Sequence, residues 1–350
     1  MSVAEQEQPL VSIVTAAYNA AAYLEETIES VLDQDYPRLE YIVLDDGSTD
    51  GTRELIERYD GRLTWDSHPN MGEARTVNKG LAMSHGDPVA VVSADDPLLP
   101  GIVSTMVEWL AARPEVLVAY PDWEMIDERG EVIQQIRTFD YSYRDMVRWH
   151  HCLPGPGAFI RRRVIDAVGG RDPHFRYVSD MDFWFQAGLY GPFSRVPLIL
   201  ARYRHHAAAA SVSKTGALMA REHMEMTDKL FARTDLPWSV RRLRAEAFSS
   251  SHWIAGCVAG NSEPELRRRH WRSAFLYAPH KYFGEYREAR FTPALASVVF
   301  DGRFRRPLVL AATQPRVFAG LVRGNAAQSW AHAKLYAGVI RAKVGRLPRA

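Results

Sequence analysis

The chain has 350 residues, is 47% hydrophobic and carries 43 basic against 42 acidic side chains, a formal net charge of +1. That length accommodates two domains of ordinary size. No run approaches the ~20 apolar residues of a membrane span, the opening MSVAEQEQPL is polar rather than a signal peptide, and two distant cysteines, Cys152 and Cys257, exclude a disulfide framework or a zinc site. A cytoplasmic protein with both thiols reduced is the expectation.

In chain order, residues 11–15 (VSIVT), 40–44 (EYIVL), 88–92 (PVAVV) and 116–120 (VLVAY) are short, β-branched-rich runs, as in parallel strands buried on both faces. Between them AAAYLEETIESVLDQ carries Leu24, Ile28, Val31 and Leu32 on one helical face, and TDGTRELIERY and EARTVNKGLAMSHG behave alike. This alternation predicts an α/β sheet with right-handed crossovers and ligands at the carboxyl ends of its strands. From about residue 236 the strand signal gives way to Ala-, Arg- and Trp-rich helical stretches, which places a boundary near Thr234 to Pro237. The charge divides there too: residues 1–235 carry a net −13 and residues 236–350 a net +14. The two parts therefore face different partners or each other.

Two acidic pairs fall at predicted strand ends. Asp95 and Asp96 follow the third strand, and their like charges raise each other's pKa unless something positive compensates. Mg2+ or Mn2+ would do so, because either takes oxygen ligands and needs only one or two carboxylates when phosphates supply the rest. A helix N-cap before Pro97 explains the same residues equally well. Asp45 and Asp46 end the second strand, where a carboxylate accepts from a base N–H or a ribose hydroxyl, or simply shapes a turn with Gly47. The first strand leads into neither a glycine-rich dinucleotide turn nor a P-loop, which leaves a carboxylate-held metal as the means of gripping a diphosphate.

Taken together, "PLVSIVTAAYN", "YIVLDDGSTDGT", "NMGEARTVNKGLAMSHGD", "VSADD", "VGGRDPHFRYVSDMDFWFQAG" and "LILARYRHHAAAASVS" resemble the family 2 glycosyltransferases across roughly residues 9–215. The resemblance implies a GT-A fold, a Rossmann-like, mostly parallel sheet flanked by helices, over residues 1–235, and a basic, mainly helical region over 236–350. It also implies an inverting, metal-dependent transfer of a sugar from a nucleotide donor, UDP-sugar favoured, to a glycan or lipid-linked acceptor in cell-surface polysaccharide assembly. Carried over by position, Ala16, Tyr18, Asp46, Arg75 and Asp95 bind the donor nucleotide, Asp96 holds the metal and Asp180 is the catalytic base. Asp182 supports that base, and Arg204 and His206 lie near the phosphates. Ser93 stands where the metal motif has its first Asp.

The chemistry is consistent with those assignments. Transfer needs a base within about 3 Å of the acceptor hydroxyl, charge stabilisation for the leaving diphosphate, and alignment of both substrates. One base opposite the leaving group gives inversion. Trp184 and Phe185 read as core, His150 and His151 as loop residues, and Arg161 to Arg163 as a solvated helix start, with no basic stripe for nucleic acid. Residues 317–345 form a cationic amphipathic stretch, suited either to an anionic membrane surface or to packing on the acidic domain. Two other functions fit less of the pattern: a silent sugar-nucleotide-binding scaffold, and a nucleotidyltransferase, which would need a Gly- and Arg-containing loop after the first strand.

Overall fold

The computed structural model describes residues 8–207, 216–260, 263–278 and 281. The chain divides into two compact units, Met1–Lys214 and Thr215–Ala350.

The first unit runs β1 (Val11–Ala17), α1 (Leu24–Leu32), β2 (Leu39–Asp45), α2 (Thr52–Glu57), β3 (Thr64–Ser67), α3 (Glu73–Met83), β4 (Val89–Val91) and α4 (Ile102–Ala111). It continues with β5 (Val118–Ile126), β6 (Val132–Ile136), α5 (Tyr143–Trp149), β7 (Phe159–Ile160), α6 (Arg162–Val168), α7 (Ser179–Ala187) and β8 (Phe193–Arg204). The strands form one sheet in the order β3-β2-β1-β4-β7-β5-β6, with β8 paired to β5. β1 is parallel to β2, from Val11 opposite Leu39 to Ala17 opposite Asp45, and to β4. β7 is antiparallel to both β4 and β5, and β8 is parallel to β5. The carboxyl ends of β1, β2, β4, β5 and β8 therefore share one rim with the amino end of β7.

Hydrophobic burial explains why the central strands lack polar alternation. Val11, Ile13, Val14, Ile42, Val43 and Ala90 are fully covered, with Leu24, Ile28 and Val31 of α1 and Ile102 and Met106 of α4 packed in the core. The strands read from sequence at 11–15, 40–44 and 88–92 correspond to β1, β2 and β4. The run at 116–120 is the start of β5, which continues through Pro121, Asp122 and Glu124 because Arg195 and Arg202 of β8 pair with those two acids. Arg161 and Arg162 are staples rather than a solvated face, whereas Arg163 is exposed. Arg161 donates to the carbonyls of Val116 and Leu110, Arg162 to the carbonyl of Gly86 and the hydroxyl of Ser84, and Arg163 to the carbonyl of Pro114.

The second unit contains α8 (Ala217–Ala232), α9 (Trp238–Arg241), α10 (Arg244–Ala259) and α11 (Pro264–Tyr277), with α10 packed on both α8 and α11. Small buried residues let these helices approach closely. A Cβ at Gly256 would lie 2.4 Å from the Trp271 ring, Ser249 Oγ donates to the Ala274 carbonyl (2.7 Å), and Ser251 Oγ donates to the His223 carbonyl (2.8 Å). The division thus falls before the composition shift at residue 236, because α8, although it carries Glu222, Glu225 and Asp228, packs its apolar face on α10. Among the described residues no helix is long and apolar enough to cross a membrane. The amphipathic stretch 317–345 lies outside the described residues.

Candidate active site

The nucleotide side of the rim is built from two loops locked together. After β1, Asn19 adopts φ +50°, a conformation in which asparagine is enriched. Its amide nitrogen donates to Ser48 Oγ (2.9 Å) and its Oδ1 accepts from the Thr49 N–H (2.9 Å). Ala20 N donates to Thr52 Oγ1 (2.8 Å) and Ala21 N to Asp50 Oδ2 (3.1 Å), so the β1–α1 and β2–α2 loops form one braced surface. Ala16 is the penultimate residue of β1, and Tyr18 just beyond it is 52% exposed, a free aromatic face above the brace.

Asp45 and Asp46 are both buried and both occupied by protein donors. Asp45 accepts from Ser48 N (3.0 Å) and Ser67 Oγ (2.8 Å). Asp46 accepts from Met71 N (2.7 Å) on one oxygen and Gly72 N (3.0 Å) on the other, which fixes the start of α3. Each Asp46 oxygen keeps a second lone pair for a base N–H or ribose hydroxyl. Arg75, one turn into α3, is exposed and donates to the Met71 carbonyl (3.2 Å).

The second acidic pair follows β4, and α4 starts only at Ile102, so Asp96 caps no helix. Asp96 is buried and accepts from the Arg204 backbone N–H at 2.8 Å, which ties the end of β8 to the acidic turn. Burial first, then the Asp95 charge, raise its pKa well above the usual carboxylate range, against hydrogen bonds from Arg204 N and Ser93. Asp95 is more open and pairs with His206 Nε2 at 2.9 Å, and the His206 ring packs against Tyr23 at 4.7 Å. The Arg204 guanidinium is buried and donates to the carbonyls of Asp95 (3.2 Å) and Asp127 (3.1 Å) and to the Glu26 carboxylate. It also lies 4.9 Å from the Tyr23 ring centre. Arg204 thus braces the acidic turn from behind. Glu26, which the sequence reading placed simply on an amphipathic helix, is its counter-ion.

The donor set suits a divalent cation. The two adjacent carboxylates are hard oxygen ligands, and Mg2+ or Mn2+ would complete its shell with water and phosphate oxygens. Among the described residues no group of three or more His, Cys, Asp or Glu side chains is placed to hold a metal ion without such outside ligands.

Asp180 lies in the first turn of α7, half-buried, with Oδ1 accepting from Met181 N (2.7 Å). The loop leading to it is anchored on α3, because Asn78 exchanges two hydrogen bonds with the backbone of Arg171 (2.7 and 2.8 Å) and Arg171 pairs with Glu73 (2.6 Å). Cys152 is exposed as a residue while its sulfur is enclosed. Enclosure raises the thiol pKa, the Asp180 charge raises it further and Arg171 opposes both, so the Asp180 charge is felt on the segment that leads into β7. That segment reaches the same rim as Asp95 and Asp96. Asp182 is buried and accepts from Gln186 Nε2 (3.3 Å), and Trp184 and Phe185 are core, as their helical spacing predicts. His150 and His151 are buried, His150 closing α5 in the left-handed conformation.

The family described as "Glycosyl transferase family 2" matches residues 12–169. The putative teichuronic acid biosynthesis glycosyltransferase TuaG of Bacillus subtilis is 38% identical over 111 residues, 30% of this chain and 44% of that one. The crystal structure of S. aureus TarS 1-349 in complex with UDP-GlcNAc superposes with a TM-score of 0.61 at 16% identity, covering 78% of this chain and 82% of that one. The mannosyltransferase PcManGT from Pyrobaculum calidifontis, in complex with GDP-Man and Mn2+, superposes at 0.52 and 16% identity over 98% of this chain and 89% of that one. Strand order, acidic rim and family match agree, and residues 12–169 form a family 2 glycosyltransferase domain with a GT-A fold.

Proposed function

We propose that this glycosyltransferase moves a sugar from a nucleoside diphosphate donor, UDP-sugar favoured, to a hydroxyl of a glycan or lipid-linked acceptor in polysaccharide assembly, inverting the anomeric centre. The observation that supports the reading is the acidic rim: Asp46, Asp95 and Asp96 follow the carboxyl ends of β2 and β4, and the loop that leads to Asp180 is tied through Arg171 and Glu73 to the start of α3, which Asp46 fixes. The TarS complex with UDP-GlcNAc supports the donor class, and the TuaG relationship supports the pathway.

Tyr18 packs on the base, Asp46 accepts from it or from the ribose, and Asp95 takes the ribose hydroxyls. Asp96, with Asp95 and His206 beside it, would hold the divalent cation, which supplies Lewis-acid stabilisation of the leaving diphosphate. Mn2+ in the PcManGT complex supports that choice. Arg75 lies on α3, whose amino end is fixed at Asp46, and reaches over the diphosphate. Asp180 accepts the acceptor's proton as its oxygen attacks from the face opposite the leaving group, and the new glycosidic bond forms as the bond to the diphosphate breaks. Asp182 and the helix start hold Asp180 in place.

Asp180→Asn is expected to lower turnover by at least about a hundredfold while the nucleotide dissociation constant, measured by calorimetry with UDP and Mn2+, stays within about twofold. Undiminished turnover in this variant would remove Asp180 from the mechanism. Asp96→Asn is the complementary change, expected to weaken UDP binding only when Mn2+ is present.

A further inference from the structure

In the second unit, α8, α10 and α11 line an open groove of about 870 Å3, within the ~300–1,000 Å3 typical of small-molecule sites. Leu218, Met224 and Leu266 supply apolar wall, and Arg221, Arg269, His252, His270 and Ser273 supply its polar groups. No carboxylate lines it. Glu225 is taken by Arg221 (3.3 Å) and Glu265 by Arg268 (3.0 Å), so Arg269 has no ion-pair partner among the described residues.

The two histidines touch Nδ1 to Nδ1 at 2.9 Å. One must donate and the other accept, so the pair holds no more than one positive charge, and the accepting ring carries its proton on Nε2 as a free donor. Burial, then the charges of His270 and Arg269, depress the pKa of His252 to about 4. Burial and Arg269 likewise lower that of His270. Neutral imidazoles beside an exposed guanidinium and apolar side chains leave a net positive, donor-rich groove that no acidic side chain lines among the described residues.

We propose that this groove binds a phosphorylated amphiphile, its phosphate against Arg269 and the imidazole pair and its hydrocarbon along Leu218, Met224 and Leu266. Inorganic phosphate would leave the apolar wall uncovered, and a neutral lipid would leave Arg269 unpaired. All the lining residues belong to the second unit, and the test reads binding alone.

The test is calorimetry on the full chain with farnesyl phosphate as probe, and with farnesol and inorganic phosphate as controls. Farnesyl phosphate is expected to bind at least about tenfold more tightly than either control, and Arg269→Glu to cost at least about tenfold in affinity. Ser273→Trp, which fills the groove, should abolish binding, with circular dichroism confirming that both variants fold. Hydrogen exchange on the unaltered protein gives an independent reading, with slowing expected in α8, α10 and α11 on adding farnesyl phosphate. Equal affinity for farnesol or for inorganic phosphate, unchanged affinity in folded variants, or no slowing in these helices would overturn the proposal.

Discussion

Arg204 ties three segments together at the rim through its guanidinium. Its backbone N–H serves Asp96, and its guanidinium serves two carbonyls and Glu26. Replacing it with Leu would leave those carbonyls and a partly covered carboxylate unmatched. Arg204→Leu is therefore expected to cost about 3 kcal/mol in urea unfolding and to weaken UDP–Mn2+ binding, whereas Asp180→Asn changes neither. Loss of affinity without loss of stability would instead put the guanidinium on the phosphates. The acidic pairs were legible in the sequence because each is a local signal at the end of an apolar run. Glu26 was not, because its partner lies 178 residues away and an exposed glutamate on an amphipathic helix carries no mark of that pairing.

Among the elements, legibility followed how locally each one is stabilised. β1, β2 and β4 bury both faces and show it in composition, whereas β8 reads FSRVPLILARYR and is held by its pairing with β5, with Arg195, Arg202 and Arg204 matched to acids on other segments. The short β3 and β7 offer too few residues for any periodicity. α3 shows the reverse case, a helix whose glycine is explained only by its neighbour. A Cβ on Gly80 would stand 2.3 Å from Val14 Cγ1 of β1. Gly80→Val is expected to destabilise by about 2 kcal/mol, read from the urea midpoint, and to weaken nucleotide binding, because α3 must back away from the sheet and carry Arg75 with it. Gly47 is tighter still, since its φ of +74° and a Cβ position 2.6 Å from Asn70 N leave no place for a side chain beside Asp46.

For the whole molecule, acid should act on the two units at different pH. In the helical unit burial depresses the pKa of His223 to about 4. An unfolded histidine titrates near ~6.5, so the unfolded chain binds the extra proton first; stability is complete above ~6.5 and is lost as pH falls toward about 4, by up to roughly 3 kcal/mol. In the first unit burial opposes the charged forms of Asp50 and Asp122, but hydrogen bonds from Thr52 and Ala21 N, and from Arg195 and Thr138, hold both pKa values below the usual range. Their contribution persists above ~4 and fades only as pH falls through those lowered values. Hydrogen exchange between pH 7.5 and 5 is expected to show α8 and α10 losing protection while β1, β2 and β5 keep theirs, and His223→Leu to shrink the response, the remainder coming from His252. Uniform loss across both units would contradict this.

β7, two residues long and reversed between β4 and β5, has a consequence for how such an enzyme can diversify. Because the polypeptide turns back there, the segment carrying Cys152 approaches the rim in the opposite sense to the strands that carry the nucleotide loops. Under the proposed mechanism, changes around the exposed Cys152 would alter which alcohol reaches Asp180 without touching Asp46, Asp95 or Asp96.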